Sequence, residues 1–268
     1  GTDGSTFSIG IKENDFRGEG VQLNSKLSLS EETVKGFLEY THPNFAFSER
    51  QLSTSLESTV TDRLTDYGYK SSLNSVSLGT RYEQFENTFF SPKVSISSET
   101  LDTTSTASAA YKKQDGSYFD ATFGYGLTLD KRNSAFQPSS GFYSSWYQSL
   151  PIVSENSEVI NGYIITGYKE LIDDMIVSSG IYTRAVNSLS GDDVRASKRL
   201  YVPSSRLRGF ESGKVGPTDG TDHVGGNYVV TLNTSSTIPY VLQTQENMDL
   251  KVFFDAGNVW GVDYSSSL

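Results

Sequence analysis

Apolar and polar residues alternate with a period of two along almost the whole chain, and the 3.6-residue period of a helix is nearly absent. In the segment ATFGYGLTLD, Phe123, Tyr125 and Leu127 share one face, while Thr122 and Gly124 share the other. This pattern predicts strands with one apolar and one polar face. About thirteen strands are predicted, over residues 4–13, 20–30, 33–42, 50–62, 70–83, 88–100, 105–114, 117–131, 140–151, 158–170, 175–187, 226–239 and 248–260.

The predicted strands are about nine to thirteen residues long, which is the length that a tilted strand needs to cross a bilayer. The weakest of them, 105–114, could instead belong to a loop. A soluble sandwich, jelly roll or β-helix alternates similarly and remains an alternative. Small and polar residues along the whole second face favour a barrel with a wet interior. Aromatic residues near segment ends suit interfacial girdles, and they are Tyr40, Phe45, Phe47, Phe89, Phe90 and Trp146. The predicted fold class is an all-β, transmembrane antiparallel β-barrel.

Composition narrows the functions that this fold could serve. The 268 residues carry a formal net charge of −10, and no basic stripe is available to neutralise phosphates, so a nucleic-acid partner is not expected. Hydrophobic residues make up 35% of the chain and aromatic residues 12%, which suits a wall with one apolar and one wet face. No run of about 18 apolar residues exists, so a transmembrane helix is not predicted.

The residues that usually carry chemistry are scarce. There are no cysteines, and the two histidines, His42 and His223, are far apart in the sequence. Thiolate nucleophiles, thiolate metal sites and histidine-rich metal sites are therefore not available. Neither a G-x-S-x-G elbow nor a phosphate-binding glycine loop occurs. We expect no enzymatic activity, no cofactor and no metal.

One long segment, approximately residues 188–225, lacks the strand pattern. Loops beyond about 12–15 residues without secondary structure are uncommon and usually functional. This one contains the stretch SRLRGFESGKVGP, in which two arginines stand beside glycines. The segment is the first place to look for a functional site.

Four motifs, in order, resemble the BamA-like family of outer-membrane assembly factors, the bacterial surface antigen family. RLRGFES at 206–212 resembles its [VL]-R-G-F signature, and KVFFDAGNVWG at 251–261 resembles its F-F-D-x-G-x-V-W strand. HVGGNYVVTLNTSSTIP resembles its G-G-N segment. LTLDKRNSAFQPSSGFY resembles its D-x-R-N…P-x-x-G strand–turn–strand through Asp130, Arg132, Asn133, Pro138 and Gly141. For Asp130 and Arg132, a salt bridge that orients the turn is favoured over a catalytic carboxylate and clamp.

The resemblance also implies a domain organisation. Members of the family have a sixteen-stranded barrel preceded by POTRA domains. Aligning the motifs implies that residues 1–268 are an incomplete C-terminal barrel domain that lacks the first strand, the last strands and the POTRA domains. The 188–225 loop would then fold back into the barrel lumen.

A cation in the lumen needs a partner, because removing a guanidinium from water is costly without a carboxylate. In the strand VFFDAGNVW, alternation directs Phe253 and Asp255 inward, so Asp255 is the expected bidentate partner of Arg208. Gly209 would let the backbone turn sharply or approach the wall, and Phe210 would pack among inward aromatic residues. The alternative is an exposed arginine in a weak surface pair.

Two departures from the family pattern affect this expected latch. Relatives often carry a glutamate near Ser235, which would offer Arg208 a second carboxylate, so here the latch would rest on Asp255 alone. The segment Pro203-Ser204-Ser205 replaces a common Gly-Gly turn, which leaves the path of the loop open.

The resemblance implies assembly and insertion of β-barrel proteins in the outer membrane of Gram-negative bacteria. The expected partners are outer-membrane lipids, unfolded outer-membrane protein clients and, through POTRA domains, accessory assembly lipoproteins. A two-partner secretion pore or a TamA-like translocation pore is the alternative within the family. A passive porin or a barrel enzyme is a further alternative from a different class.

Overall fold

A computed structural model describes residues 6–65, 68–105, 107–172, 174–220, 222–239 and 250–262. Twelve strands form one antiparallel sheet in these residues, and two further strands of two residues each form a small hairpin. The strands of the large sheet are β1 Phe7–Phe16, β2 Val21–Leu29, β3 Thr33–His42, β4 Gln51–Arg63, β5 Tyr69–Phe85, β6 Thr88–Thr103, β7 Gly116–Asp130, β8 Ser140–Ser154, β9 Glu158–Ile172, β10 Met175–Ser188, β13 Tyr228–Ile238 and β14 Leu250–Trp260. The hairpin strands are β11 Thr218–Asp219 and β12 Asp222–His223.

Each strand of the large sheet pairs with its neighbours along the chain, in the order β1 to β10, then β13 and β14. Within the described ranges β1 and β14 pair on one side only, so the curved wall is open between them. No helix in these ranges is long and apolar enough to cross a membrane. The predicted all-β antiparallel architecture is confirmed.

The strand predicted at 105–114 is wrong. The preceding strand β6 continues to Thr103, and a four-residue helix, α1 (Ala109–Lys112), follows. The side chain of Ser108 caps this helix by accepting a hydrogen bond from the backbone N–H of Tyr111 at 3.2 Å. Tyr111 is fully buried, and its ring meets that of Tyr69 edge-on. Packing of one aromatic residue therefore decides the conformation of a segment too short to show a helical period.

Strands β5 to β10 are 14 to 17 residues long, and all of them except β7 are longer than the spans predicted for them. Their extra length has a packing role at the end where β5 starts and β6 finishes. There the inward side chains of Tyr69 and Leu101 are buried against Ala196 and Val224, which belong to the long loop between β10 and β13. At this end of the sheet, β5 and β6 therefore provide a surface on which the loop packs.

The outer face of the sheet is apolar and exposed, as lipid contact requires. Large apolar side chains are register partners in two groups on this face, namely Ile9 with Leu27, and Leu38 with Leu56, Val76 and Ile96. The inner face carries polar residues such as Asp120. Phe89 was predicted in the outer girdle, but it lies on the inner face. It pairs with Thr128, which is an even number of residues from the inward Asp120 on the same strand. Its ring stacks with Arg81.

The core lies inside the curve of the sheet, where residues 189–220 and 222–227 pack against the wall. We call this segment the lumen loop. One buried apolar cluster joins it to β10, β13 and β14, and its members are Val186, Val194, Leu200, Val202, Leu207, Val229 and Val259. The connection after β6 covers the loop, because Gln114 donates to the carbonyl of Val194 at 3.2 Å and accepts from the N–H of Ala196 at 2.8 Å. The loop, for which the sequence predicted no strand, therefore supplies many of the buried apolar side chains in the described residues.

Candidate functional site

Arg208 lies at the inner wall with its guanidinium facing Asp255 of β14. Its Nε donates to Asp255 Oδ2 at 2.7 Å and its Nη2 donates to Oδ1 at 2.8 Å. The backbone N–H of Arg208 adds a third bond to Oδ2 at 3.1 Å. This is the bidentate geometry of a guanidinium–carboxylate pair, and the side-chain bonds to Asp255 raise the pKa of Arg208. The pair and its immediate neighbours are called the latch below.

The latch has two further members on the inward face of neighbouring strands. The ring of Phe253 lies under the guanidinium, with its centroid 3.6 Å from the central carbon of Arg208. Asn233 stands opposite Asp255 in the β13–β14 register and donates to Oδ1 at 2.8 Å. The same Asn233 amide donates to the carbonyl of Arg206 at 2.6 Å. The carboxylate is therefore held by the wall as well as by the loop, and only 2% of its side chain is exposed, against 39% for Arg208.

Gly209 has the turn conformation expected from the sequence, whereas Phe210 does not pack where it was expected to. Gly209 has φ +87°, which favours glycine, while a Cβ added there would meet no atom within 4 Å. The glycine therefore serves the turn and not a close approach to the wall. The expectation that Phe210 packs among inward aromatic residues is wrong: 57% of it is exposed, and Phe253 occupies the place against Arg208.

The two departures from the family pattern also have structural outcomes. Ser235 does not reach Asp255; its hydroxyl shares a hydrogen bond of 2.9 Å with Ser178 of β10. The second wall contact to the carboxylate comes from Asn233, two residues earlier on the same face. In place of a Gly-Gly turn, Ser204–Arg206 form a single 3₁₀ turn that leads directly into the latch.

The strand–turn–strand residues form a separate structure at the turn between β7 and β8. Arg132 binds Asp130 in a bidentate pair with bonds of 2.8 and 2.7 Å. The side-chain oxygen of Asn133 accepts from the N–H groups of Ser139 and Ser140, which close the turn that contains Pro138. Gly141 has φ +89°, and a Cβ there would lie 2.0 Å from the carbonyl oxygen of Lys131. These residues organise a turn and do not approach the latch.

A second charged cluster, which the sequence did not reveal, lies at the start of the lumen loop. Arg195 is fully buried and binds three carboxylates, with Nη1 3.1 Å from Glu99 and Nη2 2.8 Å from Asp120 and 3.4 Å from Glu158. Lys198 binds Asp120 at 2.9 Å and Glu158 at 3.0 Å. We call these five residues the root cluster.

Electrostatics in the root cluster favours the charged arginine. Burial alone would lower the pKa of Arg195, but the charges of Glu158, Asp120 and Glu99 outweigh this effect and raise it. The ring of Tyr118 lies 4.3 Å from the guanidinium carbon and fills one of its faces. Arg195 is therefore a permanent cation enclosed by acidic groups.

No short motif marks the root cluster, since its three carboxylates come from three strands. The available signal was the parity of Glu99, Asp120 and Glu158, each of which stands on the polar face of its strand. No group of three or more metal-binding side chains, the carboxylates of the root cluster included, is arranged to hold an ion in the residues that the structure describes.

A comparison with protein-family models decides the family. The Omp85 superfamily domain matches residues 15–267, nearly the entire chain. The chain belongs to the Omp85 superfamily. This Omp85 chain is an outer-membrane protein of bacteria, and its sheet is part of a transmembrane β-barrel.

A solved structure supports the same fold. The Omp85 chain is similar to the crystal structure of BamA from Haemophilus ducreyi lacking POTRA domains 1-3, with a TM-score of 0.85 and 21% sequence identity. The match covers 97% of this chain and 56% of that one. The Omp85 chain thus spans about half the length of the structure it resembles.

Proposed function

We propose that the full-length protein to which this chain belongs assembles and inserts β-barrel proteins into the outer membrane. One observation carries the proposal: the lumen loop is packed onto the inner wall and is held there by the latch. Val194, Arg195 and Val224 of this loop are fully buried. A loop packed inside the lumen argues against an open path for solutes or secreted chains, and it favours work done at the wall of the barrel.

In this proposal the barrel acts through its strand edges. A sheet edge carries unpaired N–H and C=O groups, which an incoming strand satisfies by adding to the sheet. Folding of the client supplies the free energy, and no residue of this chain performs covalent chemistry. The partners are outer-membrane lipids along the apolar outer face, unfolded outer-membrane clients, and accessory lipoproteins that bind through POTRA domains.

The proposal gives the latch a structural role. Arg208 and Asp255 hold the tip of the lumen loop, Phe253 and Asn233 orient the pair, and the loop keeps the wall in the shape that insertion needs. We further propose that residues 1–268 are an incomplete barrel domain of a longer protein, with the lumen loop at 188–225. The partial coverage of the BamA structure supports this division.

Insertion by the full-length protein in liposomes tests the proposal. A client barrel is added unfolded, and its folding is followed by the shift of its band in unheated gel electrophoresis. We expect the full-length protein to accelerate folding, and the variants Arg208→Ala and Asp255→Ala to lose most of this acceleration. Phe210→Ala is the matched control, because this neighbouring side chain is exposed and should leave the rate unchanged.

Two results would overturn the proposal. One is a full-length protein that leaves the folding rate of every client barrel unchanged. The other is steady ion conductance through the wild-type lumen together with transfer of a soluble chain across the liposome, which would favour a translocation pore.

A further inference from the structure

The lumen loop binds the wall through two arginines that differ in burial and in place. Arg195 is fully buried, whereas 39% of the Arg208 side chain is exposed. Water therefore reaches the guanidinium-bearing side chain of Arg208 but not that of Arg195. The two contacts also involve different strands.

The root of the loop is tied to four consecutive strands. Arg195 binds Glu99 of β6, Asp120 of β7 and Glu158 of β9. Its backbone N–H adds a bond to Glu158 Oε1 at 2.8 Å. Ser154, the last residue of β8, donates to Asp120 at 2.5 Å. The contacts at the root therefore depend on how β6, β7, β8 and β9 are spaced.

The tip of the loop is tied to a different part of the wall. Arg208 binds Asp255 of β14, and Asn233 of β13 bridges this carboxylate and the loop carbonyl of Arg206. The guanidinium of Arg206 lies 4.6 Å from the ring centroid of Tyr182 on β10. The tip therefore contacts β10, β13 and β14.

We propose that the lumen loop is a strut with two independent attachments, in which Arg195 is the positioning residue that fixes the root and the latch is a releasable contact at the tip. Arg195 and Lys198 both belong to the loop, so opening the root would leave Glu99, Asp120 and Glu158 buried without either cation, which is strongly unfavourable. Opening the latch releases a cation that is already part-solvated and leaves one carboxylate, Asp255, which keeps a hydrogen bond from Asn233. The tip therefore opens while the root stays.

This arrangement gives the proposed function a control point, and in that respect the inference rests on the proposed function. With both ends attached, the loop fixes the position of β6–β9 relative to β13–β14. With the tip released, the constraint between these parts of the wall is lost, but the loop is not expelled from the lumen. Release of the tip followed by its re-attachment is then the step that lets the wall change shape and recover it during insertion, so a tip that cannot re-attach slows insertion.

Distances between spin labels in the full-length protein test the two attachments without a client. Residues 1–268 contain no cysteine, so label pairs are introduced on a cysteine-free background of the full-length protein, at Asp192 for the root or Glu211 for the tip, each paired with Ala135 in the β7–β8 turn. We expect Arg208→Ala to broaden the tip distance distribution about twofold while the root distribution stays narrow. We expect Glu99→Gln, Asp120→Asn and Arg195→Met each to broaden the root distribution, while the tip distribution, which the latch holds, stays narrow.

Each outcome decides the inference. Broadening of the root in Arg208→Ala would overturn it, as would unchanged root distances in both carboxylate variants. If Arg195→Met does not fold, Glu99→Gln and Asp120→Asn still give the answer, since each leaves Arg195 two carboxylates. Lys35→Gln is the matched control, because it breaks a wall ion pair with Glu57 and should move neither label.

The design separates this inference from the proposed function. The distances need no client, so a protein that fails to insert clients can still show two attachments. Conversely, if the loop opens as one piece, the full-length protein can still accelerate client folding in the insertion assay. Assembly rates measured on the same variants then show whether root or tip release affects insertion more strongly.

Discussion

The carboxylate of Asp255 accepts three hydrogen bonds from Arg208, two from the guanidinium and one from the backbone N–H, although the residues are 47 positions apart. The backbone bond means that the carboxylate fixes the path of the loop as well as its side chain. A substitution of Arg208 alone therefore removes only part of the contact. The two partners can be separated experimentally.

The first prediction concerns this pair. Arg208→Ala and Asp255→Ala should each lower the free energy of unfolding of the full-length protein, and the double variant should lose less than their sum. A coupling energy of about 1–3 kcal/mol is expected, because the charges are in direct contact and one is buried. Urea unfolding in micelles measures it. Strict additivity would show that the pair does not act as a unit.

A second prediction isolates the ring under the guanidinium. Phe253→Leu should lower the free energy of unfolding by about 0.5–1 kcal/mol beyond the effect of lost apolar area, because the ring attracts the cation of Arg208. Phe254→Leu is the control, since its side chain lies on the outer face and makes no such contact. In the background of Arg208→Ala the two leucine variants should have equal effects. A persistent difference there would contradict the prediction.

The third prediction tests which wall residue supports Asp255. Asn233→Ala removes the amide that joins Asp255 to the carbonyl of Arg206, and it should cost about 1–3 kcal/mol of unfolding free energy. Ser235→Ala removes only the bond to Ser178 and should cost about 0.5–1.5 kcal/mol. Thermal unfolding followed by band shift ranks the two variants. The reverse order would point to Ser235 as the main support.

The fourth prediction concerns the turn between β7 and β8. Gly141→Ala places a Cβ against the carbonyl of Lys131 at a positive φ, so it should lower stability by more than about 1–3 kcal/mol. Gly126→Ala lies in the adjoining strand, where the nearest atom would be 3.6 Å away, and it should be neutral within about 0.5 kcal/mol. Equal stability of the two variants would contradict the strain argument.

The alternation of apolar and polar residues predicted most of the fold, because it depends only on which face of a strand meets lipid. It also placed Asp255 inward, since a single strand was enough to assign its side. The partner at Asn233 needed the register between β13 and β14, which no single segment contains. The root cluster needed the registers of β6 through β9 together, so Glu99, Asp120 and Glu158 looked like ordinary polar positions.

Other misses arose from tertiary packing. The helix α1 is shorter than two turns, and its conformation depends on burial of Tyr111 against residues distant in sequence. Phe210 was expected to pack among inward aromatic residues, but 57% of it is exposed, and the ring beside Arg208 is that of Phe253. Which of the two rings lies beside Arg208 depends on how the loop meets β14, and neither segment alone contains that information.

The connection that follows β6 lies over the lumen loop, with Gln114 bonded to Val194 and Ala196 and Tyr111 bonded to the carbonyl of Val224. This connection therefore has two kinds of residue. Substitution of the exposed Lys112 or Lys113 would leave the cover over the loop intact, whereas substitution of Tyr111 or Gln114 would remove the hydrogen bonds that fasten it.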